Sequence, residues 1–222
     1  KHTGTVRIRG RSRRTSEIAG VVEKHMKILV IADEESRSLW DYYTPDKLKD
    51  IDLILSCGDL KPEYLSFLVT MAHCPLLYIH GNHDGIYERK EPEGCICIEN
   101  QIYEYKGIRI LGLGGSCWYN GGSHQYTQKE MKRRVQKMWL KMRQKKGFDI
   151  LLTHAPTKGI NDEESAAHQG FEVFKELLEK YSPKYHLHGH VHLNYGRKPR
   201  VTKYKNTVII NGYESYIFTY EE

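Results

Sequence analysis

Five short apolar runs in this chain end on residue types that bind metal ions. Asp33-Glu34-Glu35 follows residues 27–32, Gly58-Asp59 follows 51–56, and Gly81-Asn82-His83-Asp84 follows 76–80. His154 follows 149–153, and Gly189-His190-Val191-His192 follows 185–188. Carboxylates, imidazoles and an amide oxygen are the donors from which a divalent-cation site is built. Two such ions about 3.5–4 Å apart can hold both the attacking and the leaving oxygen of a phosphoryl transfer. A carboxylate able to reach both ions is then needed, and Asp59, set after a glycine, is the natural candidate. Gly58, Gly81 and Gly189 permit tight turns and close backbone approach. His190 and His192, two apart on an extended segment, project to one side. Singly these signals are weak, since Gly-Asp is a common turn and Gly-Asn-His-Asp could be a turn with a satisfied imidazole. Five in order, each behind an apolar run, point to one shared site.

The elements that must position these residues are strands. Strand candidates are 27–32, 51–56, 76–80, 101–105, 108–113, 149–153, 185–188, 207–211 and 215–220. Several are continuous runs of Leu, Ile and Val, the pattern of strands covered on both faces. Between them lie helical stripes. Pro62 suits a helix start, with Leu65, Leu68, Val69 and Ala72 behind it. Met131, Val135, Met138 and Met142 form a second stripe, and Phe171, Phe174, Leu178 and Tyr181 a third. These stripes are expected to be core faces. Strands alternate with helices and then end the chain, which predicts an α/β fold with a partly antiparallel sheet. The open ends of such strands are where α/β folds place ligands.

With these motifs the chain resembles the calcineurin-like metallophosphoesterase family, in its small bacterial-type form, over roughly residues 26–220. The family pattern is Asp-x-His, Gly-Asp, Gly-Asn-His-Asp/Glu, a single His and Gly-His-x-His, and the last four stand intact here. The resemblance implies a four-layer α/β/β/α sandwich with two mixed sheets. It implies a phosphomonoester or phosphodiester hydrolase with two divalent ions. One ion would be held by Asp33, Asp59, His192 and the residue in the His slot of the first motif, and the other by Asp59, Asn82, His154 and His190. It further implies that His83 faces the substrate phosphate and protonates the leaving oxygen or stabilises charge there, that Asp84 hydrogen-bonds His83, and that the nucleophile is a water between the ions. The departure is Glu35 in the His slot. A carboxylate there still supplies an oxygen, and it favours Mn²⁺, Mg²⁺ or Fe over zinc. Glu34 is expected to point to solvent.

Two further segments bear on function. Residues 107–128 are rich in Gly and aromatics, and Trp118, Tyr119 and His124 are candidates to touch substrate at the rim. Residues 129–146 carry nine Lys/Arg and one acid, Glu130, on an amphipathic helical pattern. That face reads as solvated, with phosphate or nucleic-acid binding as the sharper alternative. The net charge of +6 is concentrated in residues 1–25, with seven Lys/Arg against two acids. The remaining residues carry 27 basic against 26 acidic side chains, so a nucleic-acid partner is not favoured. Met26 is the first methionine, and residues 1–25 are expected to be an extension outside a domain spanning 26–222. Five cysteines without a regular framework read as reduced thiols of a cytoplasmic protein. No apolar run approaches the roughly 20 residues of a membrane span. The rivals to a hydrolase are a scaffold of the same fold with weakened catalysis, for which Glu35 would be the lesion, and a metal-dependent nuclease.

Overall fold

The structure, a computed structural model, describes residues 25–194 and 198–221. The expected extension 1–25 lies outside the described residues, except for His25, which opens the first strand. The first half contains β1 (His25–Ile31), β2 (Leu53–Ser56), α1 (Pro62–Ala72), β3 (Leu76–Tyr78) and β4 (Ile96–Cys97). A crossing segment follows, with β5 (Gln101–Tyr105), β6 (Ile108–Leu113), β7 (Ser116–Cys117) and β8 (Gln125–Tyr126). Then come α2 (Gln128–Lys137), α3 (Trp139–Gln144), β9 (Ile150–Thr153), α4 (Glu172–Tyr181) and β10 (Tyr185–His188). Strands β11 (Val201–Tyr204), β12 (Thr207–Asn211) and β13 (Tyr216–Glu221) complete the described chain.

The strands form two mixed sheets, in the orders β13-β1-β2-β3-β4 and β11-β12-β10-β9-β6-β5. Strands β1 to β4 run parallel and β13 pairs antiparallel with β1. In the second sheet β6, β9, β10 and β12 run parallel, with β5 and β11 antiparallel at the two edges. The pleat explains the continuous apolar runs. Ile28, Val30, Leu53 and Leu55 face Ile110, Ile150, Leu152 and Leu187 between the sheets. The alternate residues Leu29, Ile31 and Ile54 turn outward onto Leu65 and Leu68 of α1. On the far side Leu111, Leu113, Leu151 and Ile209 pack under the helical stripes containing Met131, Val135, Phe174 and Leu178. Each central strand is therefore buried on both faces, and the layers run helix, sheet, sheet, helix, as the resemblance implies.

Residues 129–146 do not form one helix. Helix α2 starts at a capping box in which Thr127 accepts from the Glu130 N–H and Glu130 accepts from the Thr127 N–H. It then ends at Met138, where a tightened turn sends the Met138 N–H to Val135. The apolar stripe stays buried through the break, while Trp139 and Leu140 are exposed. All five cysteines are free thiols. Among the described residues no helix is long and apolar enough to cross a membrane.

One ion network ties the site loops to the helical layer. Glu99 accepts from the Gly114 N–H (2.8 Å), the His80 N–H (3.2 Å) and the Arg134 guanidinium. Burial alone would raise its pKa, but the His80 ring and Arg134 outweigh it and hold Glu99 at about 2. Because the folded value lies below the unfolded one near 4.5, the stabilisation is present above that pH and lost as pH falls towards 2. Acid unfolding followed by circular dichroism should show this loss, up to about 3 kcal/mol, in the wild type. Glu99→Gln should be less stable at neutral pH and show a flatter acid limb.

Candidate functional site

The site lies where β1, β2, β3, β9 and β10 end together. Asp33, Asp59 and His190 each take up a left-handed backbone, with φ of 66°, 58° and 67°. Asp, Asn and His tolerate that region better than other side chains, yet each such residue stores of the order of 1–3 kcal/mol. The surroundings over-determine all three turns. Both carboxylate oxygens of Asp33 accept the His190 N–H at 2.9 Å. Asp59 Oδ1 accepts the His83 N–H at 2.7 Å, and the Asp59 N–H donates to Asp84 Oδ2 at 2.8 Å. The loops after β2 and β3 pass so closely that a Cβ on Gly58 would lie 2.2 Å from the Gly81 nitrogen.

A methyl group on Gly81 would meet Asp59 Oδ1 at 2.0 Å and the Asp59 nitrogen at 2.6 Å. Gly81→Ala is therefore expected to displace the Asp59 carboxylate and to cost about 1–3 kcal/mol of stability. Thermal melting in parallel with calorimetric Mn²⁺ titration checks both effects. Unchanged metal affinity would mean that Asp59 is not needed where it stands.

His154 is fully buried, and its Nδ1 faces the Cys57 carbonyl at 2.8 Å. Donation to that carbonyl turns Nε2 toward Asn82 Oδ1 (3.0 Å) and Asp59 Oδ2 (3.3 Å). The Asn82 amide is oriented from its other end, where Nδ2 donates to the Tyr119 hydroxyl at 3.2 Å. His190 Nε2 faces the Ala167 carbonyl at 2.6 Å, which leaves Nδ1 for the site. Asp59, His154 and His190 thereby bring one ligand atom each within 4.8 Å of one another. Around them a cavity of about 460 Å³ is lined by Asp33, Asp59, Asn82, His83, Tyr119, Ala167, His168, His190 and His192.

The electrostatics of this cluster suit a cation. Asp33 is pushed up to about 7, first by burial and then, against the pull of His154, by Asp59. Asp84 is pushed up to about 6 by burial and by Asp59. Burial would raise Asp59 too, but His154 and the His83 N–H hold it at about 2. Burial pulls His190 down to about 3 and also lowers His192, so both imidazoles are neutral, the state in which they bind metals. The Asp33 and Asp59 carboxylates, the neutral His190 and His192 rings and the oriented Asn82 oxygen form a nitrogen–oxygen donor set for a divalent ion. Burial would lower His154, but Asp59 outweighs it and raises it to about 9, so an ion held there would displace its proton.

The structure brings Asp33, Asp59, Asn82, His154, His190 and His192 together, with His83 at the cavity edge. It places other expected residues elsewhere. The Glu35 carboxylate accepts the Lys61 N–H at 3.0 Å and pairs with the Lys61 ammonium at 3.5 Å, at the start of α1. Asp84 does not bond the His83 ring; its Oδ2 takes the N–H groups of Gly81 (2.7 Å) and Asp59 (2.8 Å), since the two loops meet there. Glu34 is exposed but tethered, accepting from the Tyr213 hydroxyl. Of the three rim candidates only Tyr119 lines the cavity. Trp118 is 57% exposed, and His124 stacks on His80 with ring centroids 4.5 Å apart. His168 was not singled out by the motifs, yet it lines the cavity and packs on His190 at 5.2 Å. It sits on a loop without periodicity, where no sequence signal marks it.

Comparison with known proteins agrees with this geometry. The family described as Calcineurin-like phosphoesterase matches residues 26–194. Two UPF0046 proteins of Caenorhabditis elegans are similar in sequence. C25E10.12 is 24% identical over 186 residues, which cover 70% of this chain and 62% of that protein. K07C11.7 is 23% identical over 212 residues, covering 84% and 69%. The chain thus spans less than two thirds of the first of these relatives. The structure of TT1561 of Thermus thermophilus superposes with a TM-score of 0.62 at 15% identity, covering 89% of this chain and 99% of that one. At that identity the likeness is one of fold.

Proposed function

We propose that this chain, which belongs to the calcineurin-like phosphoesterase family, is a metal-dependent hydrolase of phosphate esters. The observation that carries the reading is the convergence of Asp59, His154 and His190 within 4.8 Å at the strand ends. Asp33, Asp59 and His192 would hold one divalent ion, and Asp59, Asn82, His154 and His190 a second, a balanced set of oxygens and imidazole nitrogens that suits a transition-metal ion such as Mn²⁺, Fe²⁺ or Zn²⁺. When bound, such ions polarise a phosphoryl oxygen and lower the pKa of water.

The chain's own residues do the rest. Asp59 joins the two donor sets and, through its bond to the His83 N–H, holds the His83 turn against the cavity. Tyr119 keeps Asn82 Oδ1 turned toward His154. His83 stands at the cavity mouth with its side chain 74% exposed and Nε2 4.0 Å from Asp59 Oδ2. From there it can give a proton to the leaving alcohol oxygen as the phosphorus–oxygen bond breaks and a water oxygen takes its place.

The experiment is hydrolysis of aryl phosphate mono- and diesters by metal-stripped protein, reloaded separately with Mn²⁺, Mg²⁺, Fe²⁺ and Zn²⁺. Turnover restored by metal supports the reading, and the preferred ester names the class. One observation favours a second reading, a catalytically weakened member of the fold. Glu35 is held by Lys61 rather than by the cluster, which leaves the Asp33 side with fewer donors. Absence of turnover with every metal, with less than one ion bound per chain, would favour that reading.

A further inference from the structure

Beside the metal-ligand cavity lies a second one, of about 500 Å³. Asp59 and His83 line both, so the two meet at these residues. The second cavity has a different chemistry. Leu60, Pro62 and Ile86 give it an apolar wall, and its cations are already matched. Lys61 pairs with Glu35 at 3.5 Å and Lys90 pairs with Glu63. With both lysines paired and Asp59 and Asp84 also in its lining, it offers little to a second anion. Ile86 is 51% exposed. It is displayed by the short turn Asp84–Glu88, where its carbonyl accepts the N–H groups of Arg89 and Lys90 at 3.0 Å. A β-branched apolar side chain held open to water beside a proton donor is positioned to meet a ligand.

The side of the ester that enters this cavity follows from the proton transfer. A group that protonates the leaving oxygen lies on the leaving side of the phosphorus, and a chain continuing from that oxygen past His83 enters the second cavity. We propose that this cavity receives the alcohol part of the substrate, and that the alcohol is a largely uncharged group of aryl or nucleoside size rather than a methyl-sized or polyanionic one. The volume is within the range of about 300–1,000 Å³ typical of small-molecule sites. This inference rests on the phosphoesterase reading with His83 on the leaving-group side.

Binding of two non-hydrolysable probes, benzylphosphonate and methylphosphonate, to the full chain in Mg²⁺ tests it, with isoleucine methyl groups followed by NMR. Benzylphosphonate is expected to bind about tenfold tighter, the factor for removing roughly 60 Å² of apolar surface from water. The Ile86 methyl signal should move as it saturates, and Ile86→Asp should bring the affinity ratio near one. Equal affinities in the wild type, or an Ile86 signal that stays put at saturation, would overturn the assignment of the second cavity. If aryl phosphates are nevertheless turned over, the hydrolase reading survives alone. If neither probe binds and no aryl ester is hydrolysed, both readings fall.

Discussion

Asp59→Asn is expected to abolish divalent-metal retention and phosphoester turnover together. Asp59 is the one carboxylate placed in both proposed donor sets, and its neighbours depend on its charge. Its Oδ2 faces His154 Nε2 at 3.3 Å, and its Oδ1 accepts the His83 N–H. An asparagine keeps the volume but removes the charge, and it must present an NH₂ group either to His154 or to the His83 N–H. Changing a residue that merely supports a ligand costs about 10–100-fold in metal affinity, so losing this one should cost at least about 100-fold. Metal content after dialysis, measured by elemental analysis, and Mn²⁺-dependent turnover check the two losses separately. A variant that kept its metal but lost activity would move Asp59 from ligand to catalytic positioning. One that kept both would remove the basis for a site at this strand junction.

The candidate site is legible in the sequence for a local reason. A metal ligand placed directly after a strand is fixed by the strand's own register, and Asp33, Asp59, His154 and His190 all follow β1, β2, β9 and β10 within a few residues. The continuous apolar runs likewise announced strands buried on both faces, because both flanking layers draw on the same run. What the sequence could not show depends on partners far along the chain. Glu35 turns away because the start of α1, at Lys61, supplies both an N–H and an ammonium. Asp84 is adjacent to His83 in sequence, but folding brings the Asp59 N–H to it. Strands β4, β7 and β8 are two residues long, too short to show a period. His168 reaches the cavity from the loop whose Ala167 carbonyl meets His190.

In the proposed reading, holding the metal and moving the proton fall to different residues, and His83 is where the two roles part. His83→Ala is expected to leave metal content unchanged and to lower kcat by about 10²–10⁴, the range for loss of a general acid. Stability should barely change, because the side chain is 74% exposed, and exposed substitutions of this kind usually stay within about 0.5 kcal/mol. The alanine also keeps the backbone N–H that Asp59 accepts, so the Asp59 carboxylate stays where it is. The leaving group then identifies what His83 contributes. A 4-nitrophenolate departs without needing a proton, whereas an unsubstituted phenolate needs one more. The loss in kcat should therefore be greater for phenyl phosphate than for 4-nitrophenyl phosphate if the ring protonates the leaving oxygen. An equal loss for both esters would mean that His83 acts on the phosphoryl oxygens instead, by charge or by hydrogen bonding. No loss for either would remove it from the chemistry and leave it a role only at the mouth of the second cavity.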